Sequence, residues 1–497
     1  MSVHVAQAPT TGIQVIKPDP PADANAWKDV PFAVLFGAHV IAIIVVMIVL
    51  GLPLLTAFNG LSVTEYDSSD MKTIVAFSGC MAVVASLVAY ALVNVVVAYA
   101  KDVITIVLWT NFTLCIVFAA VAIAAKVAIL AAIFILCALL NLCYNRMVRS
   151  RIPFAAANLH VAAAAVKEHW SIFPLAFIIM AFQVVWIFIW CVALIGVVVK
   201  LQDSTENPKG NTVGYPCRNN ADCKSNNCGY FDSSVSQTTC LDPTPRGAII
   251  LNYALMLLSL YWGVTVIKNV LHTTVAGVVA TWWTAGDSRE VIKGSFRRAM
   301  TTSFGSICLG SLIVAILRTL ESIANSSKKD GSVAGCIAEC ILSFMRSIVE
   351  YFNRWAFIYV AMYGFRFTQA GKCASGLFKQ RGLSAVVNDD LVGQTLAFVS
   401  LICGLICGIL GLVYSYIDPK HTSFTSAEVL FPIIGLAFGI GVTVIPLGVI
   451  DSAVATVFVC FAEDPASFGR THAALHNDMV AAWRLAHPDI MLAFYPA

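Results

Sequence analysis

Ten runs of apolar residues divide this chain, at about 31–55, 72–100, 102–124, 127–145, 171–199, 247–283, 301–320, 337–365, 392–417 and 427–460. A helix rises about 1.5 Å per residue, so about 20 residues cross the roughly 30 Å hydrocarbon core of a bilayer. Inside hydrocarbon a backbone must satisfy its own N–H and C=O groups, which a helix does within one segment. The composition agrees, with 59% hydrophobic and 12% charged residues among 497, against about 45–50% and 25% in soluble domains. The fold class is therefore an all-α polytopic membrane protein of about ten transmembrane helices, with the lipid bilayer as its first partner. A net charge of +3 is too small to point to nucleic acid.

Charge and cysteine placement orient the chain. Arg146, Arg149, Arg151 and Lys167 lie between the fourth and fifth runs, Arg289, Lys293, Arg297 and Arg298 between the sixth and seventh, and Arg366, Lys372, Lys379 and Arg381 after the eighth. Cytoplasmic loops carry the excess of Lys and Arg, so these three are placed inside. An even number of spans then puts both termini in the cytoplasm. Residues 1–30, polar and bearing Pro9, Pro18, Pro20 and Pro21, read as a disordered N-terminal tail. Residues 31–460 read as the transmembrane domain and 461–497 as a cytoplasmic C-terminal tail. No cleavable signal pattern precedes the first run, so it is expected to act as a signal anchor.

The polar segment 200–246 contains four of the sixteen cysteines, Cys217, Cys223, Cys228 and Cys240. Without a Cys-x-x-Cys pair among them, two disulfides fit better than a zinc site, and no metal or cofactor is expected. Disulfides require an oxidising compartment, which again places this loop outside. Three connectivities are open.

The sixth run is membrane-length yet carries Lys268, Asn269, His272 and three tryptophans, Trp262, Trp282 and Trp283. A charge at the bilayer centre costs roughly 2.5–3.5 kcal/mol, so Lys268 implies a partner, an aqueous cavity, or an interfacial position reached by snorkelling. Trp262, Thr265, Asn269 and Thr273 share a face at helical spacing, with Tyr261, Lys268 and His272 on the adjacent one. An aromatic-headed stripe of small polar groups suits a cation held by π-faces, a contact worth roughly 0.5–2 kcal/mol. Trp282 and Trp283, near the inner boundary, read instead as an interfacial aromatic belt.

In the eighth run Arg346, Glu350 and Arg354 are spaced i, i+4, i+8 and can form one ion-pair ladder. Alternatively Glu350, beside Tyr351 and near Tyr359, lends negative charge to a cation site or pairs with Lys268. So many charges place this helix within the bundle or partly at the interface. Asp451 is the one acid in the body of the tenth run, and suits coupling, substrate contact, or pairing near the Pro446–Gly448 break. Gly404 with Gly408 and Gly435 with Gly439 are small-x-x-x-small pairs that bring helices together. Asn325-Ser326-Ser327 is an outward glycosylation sequon. Only His39 and His272 lie within apolar runs, and no His-Glu-x-x-His, Gly-x-Ser-x-Gly or Walker pattern is present, so an enzyme is not expected.

The sixth run also resembles the signature helix of the choline transporter-like family, in its fungal and protist branch: Tyr261-Trp262, Ile267-Lys268-Asn269, His272-Thr273-Thr274-Val275-Ala276-Gly277, and Trp282-Trp283. The same family is matched by Arg151-Ile152-Pro153-Phe154, Ser295-Phe296-Arg297-Arg298-Ala299-Met300, Glu350-Tyr351-Phe352-Asn353-Arg354, Asn388-Asp389-Asp390-Leu391-Val392-Gly393 and Ala462-Glu463-Asp464-Pro465. The resemblance implies a ten-span choline transporter-like fold in the plasma membrane. It also implies alternating-access movement of choline or a related small organic cation, such as ethanolamine. On that reading Trp262, Thr265, Asn269, Thr273, Glu350, Tyr351 and Tyr359 contact substrate, while Lys268, Arg346, Arg354 and Asp451 pair charges or couple. Thr265, where several family members carry an acid or amide, and the cationic Lys268 keep open a different or neutral solute. A non-transporting protein that uses its cysteine-rich loop as a binding module is the further alternative.

Overall fold

Every apolar run becomes a helix in the computed structural model of the chain, which describes residues 26–54, 68–205, 215–218, 220–223, 228–229, 238–240, 247–286, 290–328, 333–417 and 427–486. Helix α1 (Val30–Val46) continues through a π-helical turn, Met47–Gly51. It is followed by α2 (Ser68–Ala98), α3 (Ala100–Ala124), α4 (Ala128–Val148), α5 (Ile152–Glu168) and α6 (Ile172–Thr205). After the cysteine loop come α7 (Gly247–Ala285), α8 (Val291–Met300), α9 (Phe304–Lys328), α10 (Val333–Tyr363), α11 (Phe367–Ile417) and α12 (Ala427–Glu463). Two short helices close the described chain, α13 (Pro465–Thr471) and α14 (Ala473–Ala486).

Among the described residues nine helices are long and apolar enough to cross a membrane. The eighth run of the sequence forms the full-length helix α10 but is not one of the nine, because Glu339, Arg346, Glu350 and Arg354 lie along it. Glu339, Arg346 and Glu350 face α9 and Arg354 faces α12, whereas Ile337, Ile341, Phe344 and Ile348 are exposed on the other side of the same helix.

The side bearing the disulfide loop is termed outer and the opposite side inner. Cys217 pairs with Cys228 and Cys223 with Cys240, choosing one of the three connectivities and engaging every sulfur a metal would need. Two-residue strands β1 (Cys228–Gly229) and β2 (Thr239–Cys240) pair antiparallel beside them.

The inner side is more ordered than the sequence suggests. The Arg146–Lys167 stretch, read as a loop, is largely α5, where Pro153 stands in the first turn and alanines fill the interior. Its side chains Phe154, Ala155, Leu159 and Ala162 are fully buried beneath the bundle. Within the stretch 461–497, read as a tail, residues 465–471 and 473–486 form α13 and α14, with Phe468 and Trp483 in the main core. The tail assigned to residues 1–30 lies outside the described residues up to 25. Its last residues are anchored: Asp29 adopts φ +50°, and its carboxylate accepts from Ser306 Oγ at 2.6 Å and Phe367 N at 2.9 Å.

The glycine pairs pack helices rather than line a channel. A Cβ on Gly439 would lie 2.7 Å from Gly404 Cα, so α11 and α12 meet nearly backbone to backbone. Gly196 of α6 likewise admits the π-turn of α1.

Candidate functional site: two cavities on one helix

Helix α7 is the shared wall of two cavities. The outer one, about 330 Å³, is lined by Tyr261 of α7, by Arg318, Glu321, Ser322 and Asn325 of α9, and by Glu339 and Arg346 of α10. The inner one, about 410 Å³, begins four turns further along α7 at Gly277 and includes Trp283, Arg298, Tyr363, Glu463 and Asp464. Between Tyr261 and Gly277 the helix advances about 24 Å, and this stretch is packed.

Charges organise the outer cavity. Glu350 accepts from Arg318 Nε at 2.8 Å and lies 3.3 Å from Arg346 Nη1, while Arg346 Nε donates to Glu321 at 2.6 Å. All four side chains keep between 23% and 31% of their surface, so water reaches them and their pairing is correspondingly cheap to exchange. The ladder expected within α10 is half present: Arg346 meets Glu350, but Arg354 turns to α12. The sequence did not point to Arg318 and Glu321 as partners, because they sit on a different helix 25 to 32 residues earlier.

The packed centre joins α1, α7, α9, α10 and α12. Trp262 is 4% exposed, donates its indole N–H to Cys308 O at 3.0 Å, and stacks on His39 with centroids 5.0 Å apart. Asn269 donates to Ser311 Oγ at 2.9 Å, and Thr265 and Thr273 donate to the carbonyls of Tyr261 and Asn269. Below them His272 lies 2.9 Å from both Ser452 Oγ and the Arg354 carbonyl. Because that carbonyl can only accept, Nε2 carries a proton. Arg354 in turn holds Asp451, with Nη2 2.8 Å from both Oδ1 and the backbone oxygen. Thus four charged or polar side chains from α7, α10 and α12, His272, Arg354, Asp451 and Ser452, lock together at mid-bundle.

The sequence-predicted residues divide accordingly. Trp262, Thr265, Asn269, Thr273 and the 2%-exposed Tyr359 line neither cavity but occupy the seal between them. Arg346 lines the outer cavity and Glu350 bridges its two arginines. Tyr351 packs against Trp355 and Phe378. Lys268 is exposed, on the turn outward of His272. Asn325 is also exposed and stands at the outer rim.

The inner cavity brings together residues of three separate family matches: Gly277 and Trp283 of the sixth run, Arg298 of Ser295–Met300, and Glu463 and Asp464 of Ala462-Glu463-Asp464-Pro465. Tyr363 donates to Glu463 at 2.6 Å, and Tyr359 stacks behind Tyr363 at 6.2 Å. Trp283 donates to the Asp464 carbonyl and stacks on Phe468 at 4.0 Å, while Asp464 caps α13 through Ser467. Arg298 of α8 lines the cavity beside Ser295, to which it donates at 3.1 Å, and partial burial lowers its pKa. Just outside, Trp282 donates to Glu168 at 2.6 Å and packs against His472 at 4.1 Å. Burial lowers the pKa of His472, against the pull of nearby Glu168.

Residues 129–466 match the family model described as plasma-membrane choline transporter. The chain belongs to the choline transporter-like family. It is 30% identical to Protein PNS1 of Gibberella zeae over 345 residues, covering 67% of this chain and 59% of that protein. A CTL-like protein of Dictyostelium discoideum is 32% identical over 339 residues, 66% of this chain and 52% of that protein. Protein PNS1 of Kluyveromyces lactis matches at 26% over 93% of this chain and 84% of its own length. The chain thus spans between half and three fifths of the first two relatives. The match takes in α4 to α12, and with them both cavities and the seal apart from His39 of α1, while α1 to α3 lie before it.

Proposed function

We propose that this choline transporter-like protein moves choline or a related small organic cation across a membrane by alternating access. The carrying observation is the pair of cavities at opposite ends of α7 with a closed hydrogen-bonded seal between them. A carrier needs that arrangement, because a continuous channel would dissipate the gradient it works on.

Charge supports a cation. The inner cavity sets one arginine, Arg298, against two carboxylates, Glu463 and Asp464. The outer one sets Arg318 and Arg346 against Glu321 and Glu339, and Glu350 bridging the two arginines leaves one carboxylate in excess. Each mouth also presents aromatic faces, Tyr261 outside and Trp283 with Tyr363 inside. A quaternary ammonium has no N–H to donate and is recognised by such faces. When the seal parts, the stripe Trp262–Thr265–Asn269–Thr273 lies on the route between the mouths, with Glu350, Tyr351 and Tyr359 flanking it.

The test is uptake of labelled choline and ethanolamine into proteoliposomes. Saturable choline uptake, lost in Trp262→Ala and cut at least tenfold in Glu350→Gln, is expected. A folded protein that moves neither amine contradicts the reading.

A further inference from the structure

A large apolar recess lies outside the transport route. It is a groove of about 550 Å³ between α2, α5, α6 and α12, lined among others by Val93, Val97, Phe173, Phe177, Val442 and Ile450. Lys167 and Trp170 stand at its inner end, both exposed, Trp170 by 66%. We propose that this groove holds one anionic phospholipid of the inner leaflet, its phosphate on Lys167 and one acyl chain along the groove.

Length argues for a single leaflet. The lining on α2 runs from Ser86 to Val97, which at 1.5 Å per residue is about 16 Å. Half of a hydrocarbon core is about 15 Å. The groove thus begins at the inner boundary, where Lys167 and Trp170 fall, and stops near mid-membrane, where Ser86 and Val442 close it. A transmembrane helix of a partner would need a groove of twice that length.

Polarity argues for an acyl chain. Ser86 and Asn94, the polar lining residues of α2 that hydrogen-bond, donate back to the Ala82 and Tyr90 carbonyls of their own helix. Ser86 thereby uses its one donor and Asn94 one of its two amide N–H groups, which lowers the polar demand on a chain passing over them. Pro446 deprives the Val442 carbonyl of its helical partner, but the remaining wall is aliphatic or aromatic.

Charge selects the headgroup. Lys167 is the only charged residue lining the groove among the described residues, and its neighbour Glu168 is turned the other way, accepting from Trp282 Nε1. The N-terminus of α6, a 34-residue helix, starts five residues after Lys167 and adds its positive end beside the same spot. Trp170 supplies the amphipathic ring that membrane interfaces favour. A phosphodiester with a net negative headgroup satisfies lysine and helix end together; a zwitterionic one brings its own cation to the same place.

Trp170 also provides the readout. The full chain is reconstituted in phosphatidylcholine vesicles containing increasing fractions of brominated phosphatidylserine or, in parallel, brominated phosphatidylcholine. The Trp170 signal is the difference between native protein and Trp170→Phe. One lysine at a membrane surface contributes about 1 kcal/mol toward anionic lipid, or about fivefold in affinity. Brominated phosphatidylserine is therefore expected to half-quench Trp170 at about one fifth of the mole fraction that phosphatidylcholine requires. Lys167→Gln should bring the two lipids to parity, and Arg297→Gln, an exposed inner-side cation on α8, should leave the preference intact. Equal quenching by both lipids in the native protein means ordinary annular lipid and overturns the proposal. Quenching by neither means that another protein surface covers the groove, which overturns it as well. A preference lost equally in Arg297→Gln is a general surface potential and has the same consequence. None of these outcomes depends on whether choline is transported.

Discussion

The two halves of α10 are built on different principles. From Glu339 to Arg354 one face is charged and partly hydrated, while the other, with Ile341 and Phe344, is exposed. From Trp355 to Val360 six consecutive residues are at most 2% exposed, with Tyr359 stacked on Tyr363 and Trp355 against Phe458. One half holds its neighbours by ion pairs that water can replace, the other by close packing that only a void can replace. The outer end can therefore rearrange at low cost, whereas the inner half must move as a body with Trp283, Phe461, Phe468 and Trp483.

Substitutions along the helix test that contrast. Truncating the packed half should be costliest: Trp355→Ala removes a fully buried indole and is expected to destabilise by about 3–5 kcal/mol. Phe344→Ala, at 67% exposure, should change stability by no more than about 0.5 kcal/mol. Thermal unfolding in detergent compares them, and equal losses would dissolve the distinction. At the junction, Arg354→Met strands Asp451 beside His272, at a cost on the order of 3 kcal/mol. The double variant Arg354→Met/Asp451→Leu should recover most of that loss, because it removes the orphaned charge along with its partner.

In the outer half the ranking of stability and function reverses. Glu350→Gln breaks pairs that keep about a third of their surface, so its stability cost should stay near or below about 1 kcal/mol, while choline uptake falls at least tenfold. A large melting shift with uptake retained would make Glu350 a packing residue.

The smallest effect concerns the inner clamp of Trp282 and His472. His472 has its pKa held below the ordinary 6.5, chiefly by burial, so the folded protein favours the neutral ring. Below the unfolded pKa the unfolded chain binds more protons, and stability present above about pH 6.5 declines as pH falls. A modest loss of melting temperature from pH 7 to 5, diminished in His472→Phe, is expected.

How much of this was legible in the sequence depends on whether one segment or several carry the information. The ten helices follow from apolar length alone, and the family from motifs such as Trp262 and Ile267–Asn269. The disulfides could be expected, but their pairing could not, since Cys228 and Cys240 must first be aligned on neighbouring strands. The ion-pair ladder was half legible: the i, i+4 contact of Arg346 with Glu350 is local, while Arg318 and Glu321 join from α9. The helical inner layer, α5 with α13 and α14, escaped a reading that looked for apolar length. Its signal is the spacing of Phe154, Leu159, Phe468, Met479 and Trp483 at buried positions between charges. Trp262 shows the limit most clearly. Its position on the α7 face was readable, but whether that face meets water or His39 depends on α1, more than 200 residues earlier.

The central claim is that the two cavities are alternately open across one seal. Its most direct test is the rate of labelling by a small hydrophilic maleimide, in nanodiscs, of Ser322→Cys in the outer cavity and Thr281→Cys in the inner one. The background would lack the exposed thiols Cys80, Cys143, Cys191 and Cys340. Adding choline should move the two rates in opposite directions, one cavity closing as the other opens. Rates that do not respond, or that rise or fall together, would contradict alternating access by this protein.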